Sequence, residues 1–165
     1  DLPESPDHRE IIAISGRLSD RLTSLINEEQ QPDRETLAAA QWLLDELDSL
    51  EEEAFSTTAA TGSELEQMLA TAAVGVAIAA EVLRGYFVPL ESTPAEVLER
   101  AKQIMRSGLA HNRVHIRSIS VYMWTEGGVE RYPEFVNKIR TMRETDPVDR
   151  VAYNANRVRL PGDDW

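Results

Sequence analysis

Cysteine is absent from this chain, which removes disulfide frameworks, thiolate catalysis and cysteine-ligated zinc from consideration. The same absence fits a reducing compartment and is compatible with cytoplasm or a virion-like assembly, without assigning a location. Lysine is almost absent too: only Lys102 and Lys138 stand beside 15 arginines, a bias toward the side chain that makes planar, bidentate contacts. A GC-rich genome or an acid-rich, salt-adapted proteome would leave the same bias. No uninterrupted apolar run reaches the roughly 18 residues that a membrane-spanning helix needs. The nearest is "LATAAVGVAIAAEVL" (Leu69 to Leu83), which is Ala-rich and broken by Glu81, so no membrane span is expected. No targeting segment is visible, and the chain opens on Asp1, so a leading segment is expected to have been removed or left out.

What is present suits a folded chain. A hydrophobic fraction of 42% over 165 residues allows a real core within one domain, without help from metal or cross-links. The net charge of −12 is unevenly spread. Residues 1–95 carry 19 acids against 5 arginines, whereas residues 96–165 carry 10 acids against 12 bases. An acidic half and a mildly basic half suggest directional contacts.

Apolar spacing and punctuation predict helices through the first two thirds of the chain. Ser5 and Pro6 mark a start, and Ile11, Ile14, Leu18, Leu22 and Leu25 recur at three- and four-residue steps until Pro32. A second helix is predicted from about 33 to 55, with Ala39, Trp42, Leu43, Leu47 and Leu50 inward and a solvated acidic face outward. After a small-residue loop at 56–62, Ser63 and Glu66 have capping-box spacing. The helix that follows is apolar around most of its circumference, the mark of a central element, and Gly85 is a left-handed stop. A fourth helix begins near Thr93 and ends at Gly108, and a last one covers Pro133 to Glu144 with Phe135, Val136, Ile139 and Met142 inward. Residues 147–165 have no evident helical stripe. The expectation is thus a mainly α, single-domain bundle of four to five helices over 1–146. An irregular or extended arm over 147–165 closes the chain.

The stretch "HNRVHIRSISVYMW" (111–124) resists assignment. Residues 113–117 alternate as a strand does, but the alternation slips at Ile119, Val121 and Met123. As a helix it is apolar all round and suits only a buried place. Helix is favoured on its surroundings, with one short β segment near 113–124 as the alternative.

His111 and His115 are spaced i,i+4, yet no third ligand and no H-E-x-x-H glutamate accompany them, so no metal or other cofactor is expected. Arg113, Arg117, Tyr122 and Trp124, with Tyr153, Arg157, Arg159 and Trp165 in the arm, are the candidate interaction residues. Arginine grips phosphates and aromatic rings stack on bases, but a polyanion is repelled by the net charge unless the basic face is set apart. Within the acidic face Asp45, Asp48, Glu51 and Glu52, Asp45 and Asp48 have i,i+3 spacing of the kind found in Mg²⁺-dependent all-α hydrolases. The facing pair is missing, and a solvated surface is the simpler reading. Nucleotide-binding and nucleophile-elbow motifs are also missing.

The preferred expectation is a non-enzymatic structural or assembly protein. It would pack head to tail, acidic half to Arg-bearing half, into a homo-oligomer or a larger complex. The alternatives are a coat-like nucleic-acid packaging subunit that uses Arg113, Arg117 and the arm, an acidic inhibitor-type binding protein, and the Mg²⁺-dependent hydrolase.

Overall fold

The computed structural model describes residues 2–50 and 62–164. Among these residues the chain forms seven α-helices: α1 (His8–Asn27), α2 (Arg34–Ser49), α3 (Gly62–Arg84), α4 (Ala95–Leu109), α5 (Val114–Tyr122), α6 (Pro133–Thr145) and α7 (Asp149–Arg157). Short 3₁₀ turns at Leu90–Ser92, Met123–Glu126 and Val129–Arg131 join them. The mainly α class holds. The count of four to five was too low, because α5 and α7 occupy segments whose patterns did not announce helices.

Caps explain where the first helices begin. Asp7, not Ser5, caps α1: its carboxylate accepts from Glu10 N at 2.9 Å, and Glu10 returns the bond to Asp7 N. Asp33 caps α2 by accepting from Thr36 N at 2.8 Å and Thr36 Oγ1 at 2.6 Å. Ser63 lies within the first turn of α3, since that helix already includes Gly62. At the other end Gly85, at φ +75°, sends its own N–H to Val82 O and the Tyr86 N–H to Glu81 O. That paired closure satisfies two carbonyls which the helix end would otherwise leave bare.

Helix α3 sits at the centre, packed by α1, α2, α4 and α5. By length and composition it would also serve as a membrane span, with a mean hydropathy of 1.4 over its most apolar 18-residue window, but half of that window is buried inside the bundle. Small residues let its neighbours close in. A Cβ on Gly75 would stand 2.9 Å from Ala40 Cβ on α2. Gly108 plays a similar part on α4, which runs one residue past it; a side chain there would collide with Ser120 Oγ and approach Val76 Cγ2 to 3.2 Å. Gly108 is therefore a contact point for α5, not the predicted stop.

The segment 114–122 is helix, and the strand alternative does not survive. Its inward positions include Ile116 and Val121 but also Ser118 and Ser120, so the buried face is half polar and no apolar stripe marks it. Small hydroxyls fit because α3, α4 and α7 all press on this short helix. Ser120 Oγ donates to Ile116 O at 2.6 Å, and Ser118 Oγ accepts from Asn154 Nδ2 at 3.1 Å.

The irregular arm expected after residue 146 contains a helix, α7, over Asp149–Arg157, half of its described length, and stays non-helical beyond it. Val151, Asn154 and Ala155 form the buried side of α7, and Val158 and Leu160 beyond it join the same core. Such a stripe is narrow and rests on one valine and one alanine per helix, which is why the pattern looked absent. Arg143 on α6 then clips the chain end in place. It donates to Asp163 Oδ1 and Oδ2 at 3.0 and 2.7 Å, to Ala155 O at 3.0 Å and to Val158 O at 2.6 Å.

Candidate interaction surface

The two arginines singled out in 111–124 face the protein's own backbone. Arg113 donates from Nε to Leu47 O and from Nη2 to Leu50 O, each at 3.3 Å. These carbonyls belong to the C-terminal end of α2. Asp48 at the same helix end accepts from Asn112 N at 3.1 Å. Arg117 makes a bidentate pair with Asp146, Nε to Oδ2 at 2.9 Å and Nη2 to Oδ1 at 3.2 Å, and its Nη1 donates to His111 O and Asn112 O. The Asp146 side chain is only 4% exposed. Burial opposes its ionisation, but the hydrogen bonds from Arg117 and Val148 N, with the charges of Arg117 and Lys138, outweigh this and hold the carboxyl below its ordinary 3.8.

His111 precedes α5 while His115 lies within it, exposed, so the two imidazoles do not share a helix face. The His111 ring is buried and both nitrogens are engaged. Nε2 lies 3.0 Å from Leu44 O, and Nδ1 accepts from Arg113 N at 3.1 Å, which assigns the proton to Nε2. Among the described residues no group of three or more His, Asp or Glu converges as a metal site would require. Burial pushes the His111 pKa below 6.5, and the positive charges of Arg113 and Arg117 add to this against the opposing pull of Leu44 O and Asp48. The folded protein thus binds this proton less readily than the unfolded chain. Stability is expected to fall as pH drops below about 6.5, with a slope of at most about 1.4 kcal/mol per pH unit from this one group. Urea midpoints at neutral and mildly acidic pH check it. In His111→Gln the drop over that window should shrink; an unchanged drop would acquit His111.

Trp124, expected at an interface, is wholly buried. Its Nε1 donates to Met105 Sδ at 3.2 Å, and the Arg84 guanidinium lies 5.2 Å from its ring centre. Tyr122 is exposed. On α7, Tyr153 is 64% exposed, with the Arg157 guanidinium 5.8 Å from its ring centre; Arg159 is exposed just beyond the helix. Asp45 accepts from Gln41 Nε2 at 2.7 Å and, with Asp48, Arg106 and His111, borders a small cleft of about 300 Å³. Glu51, Glu52 and Trp165 lie outside the described residues. The fold therefore gathers Asp48, His111, Arg113 and Arg117 at the end of α2, sets Tyr153 and Arg157 together on α7, and withdraws Trp124 into the core.

One surface was missed from the sequence. The C-terminal end of α1, the C-terminal half of α3 and the turn after Gly85 form a groove of about 610 Å³ lined by Ile26, Val74, Ala77, Ile78, Tyr86 and Phe87. Ile26 is 52% exposed, Val74 37% and Tyr86 75%. Tyr86 and Phe87 meet edge to face with ring centres 5.7 Å apart. The charged residues on its lining are both acids, Glu29 and Glu81, the latter paired with Arg84 at 2.6 Å. Its traces in the sequence are slight: Ile26 stands one place beyond the inward Leu22 and Leu25, and "YF" follows the stop at Gly85. A second groove, of about 750 Å³ between α1 and α2, is lined by charged as well as apolar side chains, and Arg21 and Asp33 pair there at 3.3 Å. No family model, no curated protein and no solved structure matches this chain.

Proposed function

We propose that this protein is a non-enzymatic assembly subunit that joins further copies of itself, or a larger complex, through an apolar surface. The observation that carries the reading is the groove of Ile26, Val74, Tyr86 and Phe87, which the described helices leave open. Contiguous exposed apolar side chains rimmed by polar ones mark surfaces where a protein, a membrane or a ligand docks, and a protein contact is the reading adopted for this one. The titratable groups near the best-formed polar cluster support this from the other side: Arg113, Arg117, His111 and Asp146 are consumed by internal bonds, and none is left aimed at a ligand. The same bonds weaken the packaging alternative, since Arg113 and Arg117 would have to abandon them to grip phosphates.

The test is solution mass by light scattering over a wide range of concentration, at low and high salt, with absorbance read at 260 and 280 nm. The expected result is a mass above 18.5 kDa that grows with concentration and persists at high salt, as burial of an apolar surface requires. A species of 18.5 kDa under every condition would refute self-assembly. Excess absorbance at 260 nm in the large species would replace this reading by nucleic-acid packaging.

A further inference from the structure

Resting on the assembly reading, we infer that the occupant of the apolar groove is α7 of a second copy, with Tyr153 seated against Val74, Tyr86 and Phe87. The two surfaces are complementary in charge and in chemistry. Among the described residues the groove lining holds the carboxylates Glu29 and Glu81 and no arginine or lysine; Glu81 is already paired with Arg84, so Glu29 is the acid with charge to offer. Tyr153 is flanked one turn away on either side by Arg150 and Arg157, both exposed, with Asp149 the single acid beside them. A tyrosine with an arginine stacked on it is a rigid, amphipathic anchor, and these two residue types dominate the energy of protein contacts. The Arg157–Tyr153 stacking holds the pair ready before any contact forms. Among the described residues, neither Arg150 nor Arg157 makes an ion pair within its own chain, so each has charge to offer outside.

The groove belongs to α1 and α3, whereas α7 packs on α5 and α6. A contact between two such different patches runs head to tail into a ring or a filament, unless both meet at once across a two-fold axis and close a reciprocal dimer; the wild-type mass separates the two. The acidic side of the contact is Glu29, beside the Glu81–Arg84 pair, not the Asp45 and Asp48 end of α2.

The experiment mixes two variants, each spoiled on one side only. Val74→Lys, at an exposed position, places a cation in the groove; Tyr153→Ala removes the anchor. Far-UV circular dichroism confirms that each keeps the wild-type helical signal, and Ile26→Lys and Arg157→Glu stand in should either lose it. Each variant alone is expected to run as a single chain at concentrations where the wild type is larger. The mixture is expected to give a species of twice 18.5 kDa and no larger, because one intact groove meets one intact α7. If the wild type assembles but Tyr153→Ala keeps its mass, or the mixture forms nothing, this assignment is overturned while the assembly reading stands. A wild type that never exceeds 18.5 kDa overturns both.

Discussion

Arg117→Ala is expected to be among the most damaging single changes in this protein, although position 117 carries a charge and the chain has arginine to spare. Asp146 would remain, nearly sealed from solvent, with Val148 N as its remaining donor. The carbonyls of His111 and Asn112 would lose the same guanidinium. Removing one partner of a buried ion pair costs about 3–5 kcal/mol, chiefly because the other charge is stranded. For a domain of this size that is roughly 6–20 °C in melting temperature. Two companions sharpen the test. Arg117→Lys keeps the charge without the planar fork and should recover only part of the loss. Arg117→Met combined with Asp146→Asn strands no charge and should be milder than Arg117→Ala alone. A melting temperature for Arg117→Ala within a degree or two of wild type would mean that the pair contributes nothing. The same geometry sets an acid limit: because the folded pKa of Asp146 is lowered, its contribution is present above pH 3.8 and disappears as pH falls below that.

Trp124→Ala is expected to cost about 3–5 kcal/mol from lost burial and the cavity left behind. Tyr132 and Phe135 each have ring centres 6.0 Å from the indole, and Met105 Sδ accepts its N–H. A second loss comes through Arg84. Its Nε donates to Gly127 O and its Nη1 to Glu81, but its Nη2 is buried without a hydrogen bond, so the face of Trp124 is the principal stabilising surface for that side of the guanidinium. A cation over a desolvated ring adds on the order of 1–2 kcal/mol. Trp124→Phe, which keeps a ring, should be clearly milder than Trp124→Ala in the same urea titration. Equal losses would remove the argument from Arg84.

These residues also show what was legible in the amino-acid order. Helices α1 and α6 were readable because large apolar side chains mark one face and acids or proline mark the start. The central place of α3 followed from its apolar circumference, and its end followed from Gly85. Helix α5 was ambiguous because two of its four buried residues are serines, which fit only where Gly108 admits them and Asn154 bonds to one. Arginine offered no way to tell an outward grip from an inward clamp: Arg113 and Arg117 became clamps because the end of α2 and Asp146, 29 residues further on, supply the acceptors. Trp124 reads as an interface residue by type and is core by position. The groove was invisible for the plainest reason, since residues 26, 74 and 86 meet only after α1 has folded against α3.

The absence of native cysteine makes a direct test of head-to-tail association simple. Asn156→Cys lies one turn from Tyr153 and leaves it intact, and Ala77→Cys lies in the groove lining. Under mild oxidation, equal amounts of the two variants are expected to form a cross-linked pair of twice 18.5 kDa on a non-reducing gel, while neither cross-links efficiently alone. Cross-linking of Asn156→Cys with itself as readily as in the mixture, or no cross-link in the mixture at all, would contradict docking of α7 into the groove.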